Sequence, residues 1–284
     1  MSESVDAQIS YLKPTSLINR RFWAPGEEVN TGEYEPYPVV IKNAREAAKP
    51  FTLDEHGFAI ACYPTKLDDF EDTEKIASVY NEEVKAIVKE MTGADHVTLM
   101  GGQLRTSGQT SEIVQPPAAE AHVDFNEFTS KKIAKGLYEK SAPDGPGFDR
   151  FILFSLWRVL SDPPQDWPLA LCEASSVDDS EGVSNVKVDV SEIPPYERRF
   201  DPIPGEEEMV AATIFFHNPK HRWWYFPDMT KDEVVFIKFH DSDHSRPWRT
   251  PHTAFHDASR KDAVTRVSYE VRGVAYFQKK EDSW

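Results

Sequence analysis

The chain has 284 residues, of which 39% are hydrophobic and 12% aromatic, enough to bury one large core or two modest ones. Acidic residues outnumber basic ones by 48 to 32, and the resulting formal net charge of −16 disfavours nucleic acid and anionic lipid as partners. The apolar runs are too short to span a bilayer, which excludes a membrane protein with helical spans.

Two helices are predicted, one well before and one directly after residues 122–124. Over residues 72–91 the apolar side chains recur at steps of three and four, and Gly93 supplies a stop signal. A shorter, lysine-rich helix is predicted over residues 126–140. The first helix should pack one face against a sheet.

Most of the remaining pattern indicates strands, which are rich in β-branched and aromatic residues and bounded by turn formers. The predicted strands are residues 96–104, 151–159, 209–216, 223–226, 234–239 and 267–277. Helix early and strands late favour an α+β plan, in which N-terminal helices flank a double-stranded β-helix, or jelly roll. We expect a single domain over residues 1–284, with an N-terminal extension (1–70) and a helix-covered barrel core (71–284).

A candidate metal site begins at the sequence Ala-His122-Val-Asp124-Phe. Alternate residues of a strand share a face, so His122 and Asp124 project together while Val123 packs behind them. Two histidines and one carboxylate leave three adjacent positions open on iron(II), whereas a structural zinc site uses a full set of protein ligands. Without a third ligand, the pair also fits a hydrogen-bonded strand end.

His252 is the preferred third ligand, because Pro251 fixes the backbone before it and a strand-like segment follows shortly after. The rival is the polar cluster formed by His240, Asp241, Asp243 and His244, whose loop-like flanks favour a solvated turn. Three further histidines are interpreted as second-layer, surface or rim residues: His256, His217 and His221.

The sequence Arg266-x-Ser268 after His252 resembles the pattern with which jelly-roll oxygenases bind the outer carboxylate of 2-oxoglutarate. Arg266 and Ser268 lie two residues apart and should point inward together, and a planar guanidinium suits a bidentate contact with a carboxylate. Arg272 lies on the same face and is the alternative anchor.

Three segments carry a resemblance to a known family. They are residues 166–172 (DWPLALC), 218–233 (NPKHRWWYFPDMTKDE) and 250–255 (TPHTAF), within a stretch of roughly 99–277. They resemble the fungal and bacterial hydroxylase/desaturase family, which includes AsaB-like enzymes and the CmcJ-like component of cephamycin methoxylation.

The resemblance implies a non-haem iron(II) dioxygenase that uses 2-oxoglutarate and O2 to hydroxylate or desaturate a small molecule of secondary metabolism. It implies His122, Asp124 and His252 as ligands, and the strand with Arg266 and Ser268 as the 2-oxoglutarate anchor.

Candidate substrate contacts are Arg158, Tyr225 and Arg249. Arg158 should face the opposite way from Trp157 on its strand, where it either holds a carboxylate or forms a structural ion pair. Tyr225 belongs to an aromatic block that either packs the core or lines the pocket. Arg249 lies just before His252.

Two other functions remain open at this point. One is a methyltransferase-like or non-catalytic binding component of a biosynthetic pathway, although no glycine-rich strand-to-helix loop is present. The other is a cupin-like metal barrel without 2-oxoglutarate, which would be favoured if Arg266 pointed away from the metal. With two cysteines and no signal-peptide pattern, we expect a cytoplasmic protein and, by general precedent, a homodimer.

Overall fold

Strands dominate the computed structural model, which describes residues 3–111 and 113–278. Each predicted strand is confirmed within a few residues, and further strands occur before and between them. Their bounds are β1 Ser4–Leu12, β2 Arg20–Ala24, β3 Glu27–Asn30, β4 Tyr34–Asn43, β5 Phe58–Cys62, β6 His96–Thr106, β7 Val114–Gln115, β8 His122–Val123, β9 Arg150–Val159, β10 Leu169–Cys172, β11 Gly182–Asp189, β12 Ala211–Phe215, β13 Trp223–Tyr225, β14 Glu233–Asp241, β15 His252–Ala254 and β16 Val267–Phe277.

Both predicted helices are also confirmed. The first comprises α1 (Thr73–Lys75), a π-helical turn (Ile76–Tyr80) and α2 (Asn81–Thr92). The side chain of Asp72 accepts a hydrogen bond from the Lys75 amide at its start, and Gly93 ends it with a left-handed φ of 72°. Helix α3 (Glu127–Ser141) begins directly after the His122 segment.

The strands form two sheets. The ten-stranded sheet has the order β1-β4-β13-β10-β15-β8-β12-β11-β2-β3, and the six-stranded sheet has the order β5-β14-β9-β16-β6-β7. The fold is therefore mostly β, with few helices.

Flanking N-terminal helices are not supported over the segment that was expected to be an extension. Within residues 3–72 the structure has five strands and one short 3-10 turn but no α-helix. β1 pairs with β4 along its whole length, β4 pairs with β13, and β5 pairs with β14. The residues expected to form an extension thus supply strands to both sheets.

The two faces of the six-stranded sheet have different neighbours. On β9, Leu153, Trp157 and Val159 join the core shared with the ten-stranded sheet. Ile152, Phe154 and Leu156 join the core beneath the α1–α2 helix. The space between the two sheets is therefore reached from one face of β9 only.

Within the described residues, no helix combines the length and the apolar character needed to cross a membrane.

Candidate metal centre

Strand pairing sets the positions of the predicted metal ligands. β8 lies between β15 and β12, where His122 is paired with His252 and with Ile214. Because paired residues of neighbouring strands share a face, the two imidazoles emerge side by side, with ring centroids 4.5 Å apart.

Asp124 completes a compact cluster with the two histidines. Its Oδ1 lies 3.4 Å from Nε2 of His122 and 3.4 Å from Nε2 of His252. All three ligand atoms lie within 4.8 Å of one another, and no other such group of His, Cys, Asp or Glu occurs in the part of the chain that the structure describes. Two imidazole nitrogens and one carboxylate oxygen match the ligand set of non-haem iron(II) oxygenases.

The chain orients both imidazoles through their other nitrogen. Nδ1 of His122 donates to the Glu120 carbonyl at 2.8 Å, and Nδ1 of His252 donates to the Thr250 carbonyl at 3.1 Å. Such bonds fix the tautomer and leave Nε2 with a lone pair. Phe239 also stacks on His252, with centroids 5.4 Å apart and planes 9° apart.

Burial and charge act in opposition on these groups. Burial disfavours the charged form of Asp124, but Arg272 and the two histidines outweigh it, and the pKa of Asp124 lies well below its ordinary value. Burial, with the neighbouring His122, lowers the pKa of His252. Burial also disfavours the charged imidazole of His122, but the hydrogen bond to Asp124 raises its pKa on balance. These directions favour an ionised Asp124 carboxylate beside a neutral His252 imidazole.

Arg266 lines the same pocket as the three candidate ligands. Its side chain is buried over the Trp157 ring, and one nitrogen, Nη1, donates to the Trp167 carbonyl at 2.9 Å. Its Nε and the buried Oγ of Ser268 have no hydrogen-bond partner among the described residues. A buried guanidinium and hydroxyl left open in this way fit a carboxylate that the chain itself does not supply.

Arg272 has a different position from Arg266. Its Nη2 lies 2.7 Å from Oδ2 of Asp124 and 2.6 Å from Oε1 of Glu270, which also accepts from Arg105. Arg272 therefore contacts a candidate metal ligand directly, so that one carboxylate oxygen of Asp124 is held by the protein.

Two predicted substrate contacts lie away from this pocket, and those predictions are corrected. Arg158 is on the face of β9 opposite to Trp157, where it donates to the Tyr80 hydroxyl and to the carbonyls of Tyr63 and Lys231. Its guanidinium is thus satisfied by neutral oxygens beneath the helix, and neither the substrate role nor the ion pair fits that position.

Tyr225 also lies away from the pocket, on the face of its sheet opposite to the His252 side chain. It is paired with Ala170, whereas the adjacent Leu171 is paired with His252, and neighbours along a strand face opposite sides. Tyr225 instead packs edge-on against Phe255 at 5.4 Å. Arg249, in contrast, is buried and lines a cleft next to α3.

The remaining histidines lie outside the cluster. His240 is buried on β14 beside His244 and Trp248, and His256 is exposed beside Trp167. His221 joins Tyr11 to Glu181 through hydrogen bonds of 2.9 and 2.8 Å, and His217 stacks on Tyr37 at 4.0 Å.

The sequence prediction missed Glu270, Trp157 and Arg105 in the pocket lining. Glu270 could have been found, because it continues the two-residue alternation of Arg266, Ser268 and Arg272. Arg105 lies on a strand remote in sequence, and no local pattern indicates it.

Comparison with known proteins identifies the family. The family model described as an oxidoreductase/YMDC permease-like domain matches residues 9–276. An Fe(II)/2-oxoglutarate-dependent dioxygenase, nvfI, of Aspergillus novofumigatus is 28% identical over 261 residues, which cover 89% of this chain and 87% of that protein. A hydroxylase/desaturase, efuI, of Hormonema carpetanum is 29% identical over 265 residues, covering 88% of this chain and 86% of that protein.

A solved structure shares the fold. The iron and alpha-ketoglutarate-dependent endoperoxidase NvfI superposes with a TM-score of 0.80 at 23% identity, covering 98% of this chain and 99% of that one. The chain belongs to the oxidoreductase/YMDC permease-like domain family, and within it is an iron(II)- and 2-oxoglutarate-dependent oxygenase of the hydroxylase/desaturase group. The resemblance seen in its motifs is confirmed. The cofactor iron(II) and the co-substrates 2-oxoglutarate and dioxygen are those of the family.

Proposed function

We propose that His122, Asp124 and His252 bind iron(II), and that Arg266 and Ser268 hold the far carboxylate of 2-oxoglutarate. The enzyme then hydroxylates or desaturates a small secondary metabolite, a substrate class suggested by its hydroxylase/desaturase relatives. Arg272 is proposed as a positioning residue for Asp124 and not as the co-substrate anchor, because its Nη2 already serves Asp124 and Glu270.

One observation carries the proposal. Arg266 Nε and Ser268 Oγ are buried and lack a partner among the described residues. Arg266 directly precedes β16 and lines the pocket of the candidate ligands, and Ser268 lies on β16. Leaving such groups unpaired costs free energy, so a site that keeps them is adapted to a bound acceptor. A barrel that uses the metal without 2-oxoglutarate would have no need for them.

The strand order supports a double-stranded β-helix. The eight strands β6, β8, β9, β10, β13, β14, β15 and β16 divide into two four-stranded groups, β13-β10-β15-β8 and β14-β9-β16-β6. The chain passes repeatedly between the two groups, as in a jelly roll. Since β1, β4 and β5 extend these same sheets, we propose one oxygenase domain over residues 1–284.

The chain's own residues have three tasks in this proposal. The carbonyls of Glu120 and Thr250 orient the imidazoles, and Arg272 keeps one oxygen of Asp124 from turning toward the metal. The rings of Trp157 and Phe239 give the site apolar walls that exclude water. When bound, iron(II) and 2-oxoglutarate supply dioxygen activation coupled to decarboxylation of the co-substrate to succinate and carbon dioxide.

Anaerobic binding experiments test these roles without turnover. With iron(II) and 2-oxoglutarate, the wild type should give the visible charge-transfer band of the chelate, and His252→Ala should abolish it. Arg266→Gln should weaken 2-oxoglutarate binding by about tenfold or more, since a charged bidentate contact is lost, while iron affinity changes little. Arg21→Gln, on the exposed surface, is the matched control.

No band in the wild type, or an undiminished band in His252→Ala, would refute the ligand assignment. Unchanged 2-oxoglutarate affinity in Arg266→Gln would refute the anchor alone.

Two further parts of the proposal concern the protein in the cell. We propose a cytoplasmic location, supported by the buried and unpaired Cys172, and a homodimer, the commonest symmetric state. Cell fractionation and light scattering of the purified protein test them.

A further inference from the structure

A cleft of about 530 Å³ lies between α3, the β11–β12 hairpin and the segment before His252. Asn126 follows Asp124 by two residues, Thr213 is paired with Val123, and Arg249 precedes His252 by three residues. The cleft is thus built from segments that continue the metal-ligand strands, and its volume suits a small organic molecule.

Four flat groups are stacked in one wall of this cleft. The Arg249 guanidinium lies 4.3 Å from the centre of the Trp248 ring and 5.0 Å from that of Phe215, and His244 stacks on Trp248 at 4.4 Å. Two aromatic rings therefore pack against the guanidinium. Its N–H groups remain the part that can recognise a ligand.

In the part of the chain that the structure describes, the Arg249 guanidinium forms hydrogen bonds through only one of its three nitrogens. Among the described residues, only its Nη2 donates, at 2.9 Å to the Asp179 carbonyl and at 3.5 Å to that of Asp178. The nearest carboxylate oxygen, Oδ1 of Asp179, lies 3.8 Å away on a side chain that is 74% exposed. Nε and Nη1 remain available for a ligand.

Other buried arginines show how unusual this is. Arg20 forms two hydrogen bonds of 2.6 Å with the carboxylate of Glu206, and all three guanidinium nitrogens of Arg158 donate to protein oxygens. Within the described ranges, Arg249 and Arg266, the proposed 2-oxoglutarate anchor, both donate to backbone carbonyls and form no hydrogen bond to a carboxylate side chain. Burial of a guanidinium without a hydrogen-bonded carboxylate is costly unless a ligand completes it.

Gly182 makes room for this arginine. A methyl group at Gly182 would lie 2.5 Å from Nη1 of Arg249 and 2.8 Å from Cγ2 of Thr213. Any larger residue would push the guanidinium out of its present position, so the glycine provides a way to move Arg249 without replacing it.

We propose that Arg249 binds a carboxylate of the organic substrate, edge to edge, and that the enzyme acts on small carboxylic acids. The inference rests on the proposed function, because it assigns the cleft to the same reaction. The cleft lies beside the segments that carry Asp124 and His252, because Asn126 and Arg249 are among its lining residues.

The test uses the full-length protein loaded anaerobically with iron(II) and saturating 2-oxoglutarate, so that the metal pocket is already filled. Benzoate and neutral benzamide are titrated by calorimetry. Benzoate should bind saturably and benzamide about tenfold more weakly, since a charged bidentate hydrogen bond is lost. Arg249→Gln should weaken benzoate by a similar factor, and Gly182→Ala should weaken it too. Arg246→Gln, on the same loop and 40% exposed, should bind as the wild type does.

A longer acid, 4-phenylbutyrate, tests whether the cleft leads to the metal. It should perturb the chelate band in the wild type and not in Arg249→Gln. Equal binding of benzoate and benzamide, or undiminished benzoate binding in Arg249→Gln, overturns the carboxylate site. Benzoate binding through Arg249 without any effect of 4-phenylbutyrate on the band overturns the substrate role.

The band itself separates this inference from the proposed function. Variants that keep the band are folded and hold 2-oxoglutarate, so their loss of benzoate binding concerns Arg249 alone. Absence of the band in the wild type would refute the proposed function whatever benzoate does.

Discussion

Replacing Arg272 by glutamine should destabilise the metal-free protein much more than the metal-bound one. Nη2 of Arg272 lies between two acidic groups, 2.7 Å from Asp124 and 2.6 Å from Glu270. Without the guanidinium, two nearly buried carboxylates would face each other with less positive charge nearby. Breaking a buried ion pair in this way costs about 3 to 5 kcal/mol.

The expected magnitude is smaller, because Arg272 is 27% exposed and solvent screens part of the interaction. We expect a loss of about 2 to 3 kcal/mol in the free energy of unfolding. For a chain of this length that corresponds to a drop in Tm of roughly 4 °C. A divalent cation bound by Asp124 supplies positive charge at the same place, so the loss should shrink in its presence.

Urea unfolding of Arg272→Gln and wild type measures the loss in the free energy of unfolding, with and without anaerobic iron(II). Thermal unfolding of the same proteins measures the drop in Tm. Arg21→Gln breaks a comparable but exposed pair with Glu28 and should cost under about 1 kcal/mol. Equal stability of wild type and Arg272→Gln without metal would show that Arg272 does not hold Asp124 in solution. An equal loss with and without iron(II) would refute the charge argument.

Two further predictions concern buried polar groups outside the pocket. Arg158→Lys should leave the Michaelis constants for both substrates unchanged but lower the free energy of unfolding by about 2 to 3 kcal/mol, because buried oxygens lose their donors; a raised constant at unchanged stability would contradict its position. Burial lowers the pKa of His240 to about 4, so the folded protein keeps this side chain neutral while the unfolded chain takes up a proton below about pH 6.5. Stability should therefore fall between pH 6.5 and 4. His240→Leu should flatten that fall by up to about 3 kcal/mol in urea titrations, and an unchanged slope would contradict the burial argument.

The sequence was most informative where local pattern and tertiary role coincide. The 72–91 helix shows a regular apolar stripe and a glycine stop signal, and the long strands of the second half are strongly β-branched and aromatic. β4 and β5 escaped prediction because their partners β13 and β14 are remote in sequence. β1 is fixed by β4, and β4 by β13, some 180 residues later.

The residues of the candidate site likewise differ in how far local pattern predicts them. His122 and Asp124 could be placed on one face by alternation alone, and the context of Pro251 singled out His252. Arg158 could not be assigned to a face, because all but the first residue of β9 are buried and the pattern is apolar on both sides. Only the packing of the helix against one face decides which residues of β9 reach the pocket.

The position of β16 has a consequence for how iron enters the protein. This strand holds Arg272 and Ser268, lies between β9 and β6 in the middle of its sheet, and ends at Phe277. During synthesis the sheet therefore remains divided until residues 267–277 have left the ribosome. His122 and His252, 130 residues apart in sequence, meet only in the assembled sheets. Iron capture should thus be a post-translational event, and incomplete chains should not retain the metal.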